Sequence, residues 1–279
     1  MFSTLKHIAR SHRKKLLSTF SLVAAENLLL MIYPVIAGIA INAVIEGSLW
    51  LALSYALLVL VVWGIGSARR AVDTRAFVRI YADLAVPVIL NQRNSQHSTS
   101  TTAARVALSR EFVDFFEYHL PTFITALFSI AGSVLMLLVI EFWSGVIALL
   151  ILLGFASVLP RYMKANDRLY FRLNNRLEKE VDLIEHARRH RLVKHYGLVS
   201  RLRILISNRE ALSYFALGLA MCVLFGATLT LFTLKGYGSA GHIYAVITYM
   251  WTFATSLDDG PRLVEEYSKL KDIGKRVDV

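Results

Sequence analysis

Long apolar runs alternate with polar, strongly basic segments along this 279-residue chain. A helix that crosses a membrane needs about 20 mostly apolar residues, and the pattern predicts six such helices. The predicted spans are Leu16–Ala43, Leu49–Gly66, Leu120–Ile140, Trp143–Leu159, Ala211–Leu234 and a weaker one from Ile243 to about Val264. The hydrophobic pattern therefore predicts an all-α membrane protein with six transmembrane helices.

The connections between the predicted spans fall into two classes. The short links are Val44–Ser48, Glu141–Phe142 and Lys235–His242, whereas Ser67–His119 and Pro160–Glu210 are much longer. Apolar residues recur at helical spacing in both long connections, and a structureless loop of that length is uncommon. We expect each to be a helical hairpin that continues its flanking spans, with its tip near Asn91–Thr102 in the first and Asp182–Lys194 in the second.

Positive charge predicts the orientation in the membrane. The chain has 31 Lys and Arg residues and a formal net charge of +11. Apart from Lys235, all of them lie before the first span, in the two long connections, or from Pro261 onward. Cytoplasmic segments collect Lys and Arg, so both termini and both long connections are predicted to be cytoplasmic. The basic stretch Ile184–Arg209 is accordingly interpreted as an inner loop and not as a nucleic-acid-binding arm.

The single cysteine and the N-terminal segment exclude other classes. Cys222 alone can form no disulfide within the chain and no cysteine-based zinc cluster. The apolar run after the basic start is far longer than the core of a signal peptide, so we expect a retained first span. Apolar and basic residues of the preceding segment fall on different helical faces, which predicts an amphipathic interfacial helix over residues 1–15; a frayed tail is the alternative.

The layout resembles the transmembrane domain of ATP-binding-cassette (ABC) exporters, because it combines an elbow helix, six spans and two long inner hairpins. VPVILNQRNSQHSTSTTAARVALSREFVDFF is similar to that family's first intracellular loop, although a usual glycine is missing. EKEVDLIEHARRHRLVKHYG resembles its second loop, and VEEYSKLKDIGKRVDV resembles the helix that leads into the nucleotide-binding domain. The resemblance implies one domain over residues 1–279, with cytoplasmic hairpins at 67–119 and 160–210 and a C-terminal cytoplasmic helix at 265–279. It also implies a homodimer in the bacterial cytoplasmic membrane, domain-swapped because spans four and five cross to the partner.

The resemblance also implies a partner that supplies energy. No G-x-x-x-x-G-K-[ST] loop for binding phosphates occurs in the sequence, and its single Gly-Lys pair, Gly274-Lys275, is followed by Arg276. We therefore expect no catalytic centre, cofactor or metal site in this chain, with ATP and Mg bound only by a separate ATPase subunit. The residues expected to contact that subunit are Arg93, Asn94, Gln96 and His97 in the first loop and Glu185, Arg188, Arg189 and Arg191 in the second.

Polar residues inside the predicted spans are candidates for a substrate pathway, since ionisable groups there are costly and usually face a cavity or a partner. In the first span these are Glu26, Asn27, Tyr33 and Asn42. In the sixth, Tyr244, Thr248, Thr252, Thr255 and Asp259 lie within roughly an 80° arc of a helix, with Trp251 and Asp258 beside them. We call the polar residues of the sixth span the polar stripe. One alternative for Glu26 is that it pairs with a lysine near the inner interface. One alternative for the polar stripe is that it forms a contact between helices.

The sequence thus favours the transmembrane subunit of an exporter that moves a hydrophobic or amphipathic, cationic small molecule by alternating access. The acidic end of the stripe, Asp258 and Asp259, would favour cations, and together with Pro261 it is expected to kink or end the helix. Two alternatives keep the same fold. One is an ion- or proton-coupled carrier in which Glu26, Asp258 and Asp259 titrate, and the other is a membrane scaffold or sensor.

Overall fold

The computed structural model describes residues 13–94, 110, 113–177, 180–236 and 239–260, and nearly all of these are helical. The helices are α1 (Arg13–Ile45), α2 (Leu49–Asn94), α3 (Leu120–Ile140), α4 (Phe142–Leu177), α5 (Glu180–His186), α6 (Arg189–Lys235) and α7 (Ala240–Asp258), with a π-helical turn at Phe115–His119 directly before α3. No β-strand occurs in this part of the chain, and the predicted all-α class is confirmed. The interfacial helix expected over 1–15 lies outside the described residues except for 13–15, which begin α1, and the helix expected over 265–279 lies wholly outside them.

Five segments are long and apolar enough to cross a membrane. They are Arg13–Ile45, Leu49–Asp83, Glu117–Ile140, Phe142–Leu177 and Arg189–Lys235, and they contain the first five predicted spans. The sixth predicted span overlaps α7 as far as Asp258, and its end from residue 261 lies outside the described residues. α7 is not among the five because threonine, tyrosine and His242 dilute its apolar residues. The structure thus supports an integral membrane protein, while a sixth crossing stays a prediction.

Several helices continue beyond the predicted spans. α2 runs unbroken to Asn94, α4 passes through Pro160 to Leu177, and α6 begins at Arg189. At 1.5 Å per residue, the extra length of α2 is about 40 Å. We call the ends of the helices that carry these extensions the inner ends, and the ends at the short links the outer ends. In the second connection the chain turns between α5 and α6 at Ala187–Arg188, while the tip of the first lies outside the described residues.

The link between α1 and α2 is a helix cap that depends on glycine. Gly47 has a φ of +73°, a conformation that side chains disfavour. The Ser48 amide donates to the carbonyl of Ala43 at 2.8 Å, and the Gly47 amide donates to that of Val44 at 3.2 Å. This is the hydrogen-bond pattern of a Schellman cap, so α1 ends here and the chain reverses into α2.

The chain divides into two compact units. The first comprises Met1–Glu141 and Gly236–Val279, and its described helices are α1, α2, α3 and α7. The second is Phe142–Lys235, which contains α4, α5 and α6. The second unit therefore coincides with predicted spans four and five and the connection between them.

In the first unit, α1 and α7 approach so closely that their backbones touch. A Cβ atom built on Gly38 would lie 2.3 Å from the carbonyl oxygen of Gly241, and one on Gly241 would lie 1.9 Å from that of Gly38. The side chain of Asn42 fixes this crossing, since it donates to Ser239 Oγ at 2.7 Å and accepts from the Gly241 amide at 2.8 Å. Only glycine fits at either position.

A second contact between α1 and α7 lies at a proline inside α1. Pro34 has no N–H and interrupts the hydrogen bonding of the helix. The side chain of Tyr249 on α7 is 2% exposed, and its hydroxyl donates to the Met31 carbonyl at 2.5 Å. Tyr249 therefore anchors α7 to the interrupted part of α1.

In the second unit, α4 and α6 pack side by side. Near their outer ends the buried Thr228 hydroxyl donates to Ser144 Oγ at 2.8 Å. Toward the inner ends, Leu173, Val199 and Ile206 form a buried apolar cluster. This cluster gives the long extensions of α4 and α6 a core of their own.

Candidate functional site

The helix α7 has one buried apolar face and one open polar face. The buried residues are Gly241, Ala245, Val246, Tyr249, Met250, Phe253, Ala254, Ser256 and Leu257. On the opposite face, Tyr244 is 38% and Trp251 60% exposed, Thr255, Asp258 and Asp259 are exposed, and Thr248 and Thr252 are half-buried. The polar face that was predicted from residue spacing is therefore the face of α7 that the rest of its unit leaves uncovered.

The threonine hydroxyls of this face bond to their own helix. Thr248 donates to the carbonyl of Tyr244 at 2.8 Å and Thr252 to that of Thr248 at 2.9 Å. Thr255 donates to the carbonyl of Trp251 at 3.0 Å. Because the hydroxyl hydrogens are used in this way, each side chain presents a methyl group and an acceptor oxygen outward. Such a surface suits weak, adaptable contacts with an amphipathic molecule.

Three tyrosines from three helices meet near the outer ends. The hydroxyls of Tyr33 on α1 and Tyr55 on α2 are hydrogen-bonded, and their ring centroids are 5.2 Å apart. Tyr244 of the α7 stripe interacts electrostatically with Tyr55. The structure thus joins two predicted pathway residues, Tyr33 and Tyr244, through one that the sequence analysis missed. An isolated tyrosine in the apolar second span was the available signal.

Glu26 has a charge partner on α2. Its carboxylate binds the guanidinium of Arg69, and the two side chains are 21% and 24% exposed. Arg69 also lies 3.6 Å from Asp73, one helical turn further along α2. Glu26 therefore pairs with a cation, as one of the two alternatives for its role expected. The cation, however, is an arginine of α2 and not a lysine.

The two asparagines of α1 hold helices together. Asn27 is buried, and its amide donates to the Val23 carbonyl at 2.8 Å and to Thr125 Oγ1 on α3 at 3.2 Å. Asn42 binds the start of α7, as described above. In this protomer both residues therefore fix the packing around α1, and neither belongs to the open face of α7.

The acidic end of the stripe lies where α7 terminates. The helix ends at Asp258, and the Asp259 amide still donates to the Thr255 carbonyl at 3.3 Å. Both aspartates are exposed. They place two carboxylates at the inner end of the open face, while Pro261 lies outside the described residues.

A family model described as ABC transporter transmembrane region matches residues 5–241, which is most of the chain. This chain belongs to the ABC transporter transmembrane region family. The resemblance inferred from its span layout and loop sequences is confirmed. No curated protein matches the sequence.

Six of the eight residues expected to couple this ABC transmembrane chain to an ATPase are described, and these lie on the inner extensions. Arg93 and Asn94 are the last residues of α2, whereas Gln96 and His97 lie outside the described residues. Around the turn of the second extension, exposed side chains are contributed by Glu185 of α5, by Arg188, and by Arg189 and Arg191 at the start of α6. The Tyr196 hydroxyl donates to Glu180 at 2.8 Å and so connects α6 to α5.

Proposed function

We propose that this chain is the transmembrane subunit of an exporter that moves a hydrophobic or amphipathic, cationic small molecule by alternating access. The observation that carries the proposal is that α7 buries its apolar face and leaves its polar stripe open. In hydrocarbon the reverse arrangement would be favoured, because polar groups in contact with lipid are costly. A stripe of this kind is stable where it lines a hydrated passage.

The preference for a cation follows from the chemistry of the same face. The exposed Trp251 and Tyr244 offer aromatic surfaces on which a cation is attracted to the ring. Asp258 and Asp259 add negative charge at the inner end, where a molecule from the cytoplasm would enter. An organic cation with an apolar body satisfies both features.

Two further parts of the proposal concern assembly and energy. We propose a homodimer, supported by the open stripe of the single protomer and by the separate compact unit that spans four and five form. We propose that ATP is hydrolysed by a separate ATPase subunit, which the family membership supports. The ion-coupled carrier is less well supported, because Glu26 is engaged by Arg69.

Binding of a fluorescent lipophilic cation to the purified protein tests the pathway. Trp251→Ala and Asp259→Asn are expected to weaken binding by about tenfold each, which corresponds to roughly 1.4 kcal/mol. The matched controls are Trp63→Ala, an exposed tryptophan of α2, and Glu46→Gln, an exposed acid at the outer link. Equal losses in Trp63→Ala and Trp251→Ala would show that the dye partitions onto apolar surface and would refute the stripe as the site.

Co-purification from the native membrane tests the energy source. An ATPase subunit that co-elutes, and whose activity rises with the lipophilic cation, supports the proposal. Transport in vesicles that continues without ATP and stops when the proton gradient collapses would instead support the ion-coupled carrier.

A further inference from the structure

A buried carboxylate at the inner ends of α1 and α2 lacks a full set of partners. Asp73 is 7% exposed, and its Oδ1 accepts no hydrogen bond from the residues that the structure describes. Its nearest cation is Arg69, whose Nε lies 3.6 Å from Oδ2 and whose guanidinium instead binds Glu26. The buried Thr19 hydroxyl lies beside Asp73, and Thr19 and Arg69 are the groups there that favour the ionised carboxylate. Among the described residues, Asp73 therefore shares its nearest cation, Arg69, with Glu26.

A second buried carboxylate lies near Asp73, in the turn before α3. Glu117 has a side chain that is 6% exposed, and it interacts electrostatically with Asp73. Its own cation, Arg110, is 4.0 Å away and is bound more closely by Asp114, at 2.9 Å. Glu26 of α1 adds a further negative charge near Asp73. Among these described residues, four carboxylates thus share two guanidinium groups.

Enclosed carboxylates that face each other do not all stay ionised, because burial and like charge both favour the neutral acid. We propose that Asp73 binds a proton in this conformation, so that a carboxylic acid, and not a carboxylate, joins the inner ends of α1 and α2 to the turn at Phe115–His119. The proton comes from solution and places an O–H donor between oxygens that otherwise only accept. A proton suits the site better than a metal ion, since no group of three or more potential ligands is arranged around a metal position in the described residues.

Proton release would have a direct mechanical effect. It would leave an additional negative charge beside Glu26 and Glu117 and so weaken the packing of α1, α2 and the turn before α3. The folded state would then hold a proton that the unfolded chain loses above about pH 4. Its stability should therefore be greatest at low pH and fall as the pH rises through the range in which Asp73 ionises.

Thermal unfolding of the purified full-length protein between about pH 5 and pH 8 tests this site. Asp73→Asn keeps the shape of the protonated acid and cannot ionise. The melting temperature of Asp73→Asn minus that of the wild type should rise by about 2–4 °C per pH unit across the range in which Asp73 ionises. Asp114→Asn, which removes a half-buried partner of Arg110, is the matched control and should show no such trend. A constant or falling difference for Asp73→Asn overturns the proposal.

Infrared spectroscopy provides a readout that does not depend on the stability of the variant. In the lower part of this pH range, wild-type protein should show the carbonyl band of a protonated carboxyl group, and Asp73→Asn should lose it. If the band is missing from the wild type, or is retained in Asp73→Asn, Asp73 is not the proton site. Neither measurement involves transport, so failure here leaves the proposed exporter function untouched.

Discussion

Substituting alanine for a glycine at the crossing of α1 and α7 perturbs the backbone contact between these two helices. In Gly241→Ala the new Cβ would lie 1.9 Å from the Gly38 oxygen and 2.9 Å from Asn42 Cγ. A relaxed carbon–oxygen contact is about 3.3–3.6 Å, so the two backbones must separate by about 1 Å or more. Both neighbouring atoms are held by backbone or hydrogen bonds, and no flexible side-chain end is available to yield.

The magnitude follows from what this separation breaks. Overpacking a close contact costs about 1–3 kcal/mol. A shift of about 1 Å also takes the Asn42 bonds to Ser239 and Gly241, now 2.7 and 2.8 Å, beyond hydrogen-bond range, at about 1 kcal/mol each. The total is about 3–5 kcal/mol, or a fall in melting temperature of about 6–20 °C for a chain of this size.

Thermal unfolding in a mild detergent measures this loss, and the chain offers controls with the same chemical change. At Gly64 in α2 and Gly218 in α6, an added Cβ would meet no atom within 4 Å. Alanine there should raise stability by up to about 1 kcal/mol, because it favours the helix. Should Gly241→Ala unfold at the same temperature as Gly218→Ala, the backbone contact would not exist as described.

Three further substitutions test two other contacts of α1. Tyr249→Phe removes the hydroxyl bonded to the Met31 carbonyl and should lower the free energy of unfolding by about 0.5–1.5 kcal/mol; an unchanged melting temperature would contradict that bond. Glu26→Gln and Arg69→Gln should each destabilise the protein, and a double-mutant cycle should give a coupling of about 1–3 kcal/mol, reduced in salt to the extent that these part-exposed groups are screened. Strictly additive effects would mean that the pair is not formed.

Local features of the fold could be predicted from the sequence. The third span was predicted as Leu120–Ile140, and α3 has the same bounds. Its outer limit is set locally, since the charged Glu141 follows the apolar run, whereas at Leu120 it continues from the π-helical turn. Helical spacing likewise predicted that Thr248 and Thr255 share a face of α7.

The partners of these residues could not be predicted, because they depend on how helices distant in sequence are aligned. Glu26 was expected to meet a lysine if it met any cation, and its partner is Arg69 on the next helix. Asn42 lay among the candidate pathway residues, yet it binds Ser239, almost the whole chain away. Hydrophobic periodicity gives the face of a helix but not the helix that covers it.

The contacts of α1 differ in kind between its two ends. At the outer end, Gly38 and Asn42 join α1 to α7 through backbone contact and neutral amide hydrogen bonds, which respond little to charge. At the inner end, Glu26 of α1 binds Arg69 of α2, which also lies beside Asp73, and these contacts depend on ionisation and on nearby charge. A proton, a cationic substrate or a change in ion pairing therefore acts on the inner end while the outer crossing holds. We expect these helices to separate first on the side where the predicted cytoplasmic extensions lie.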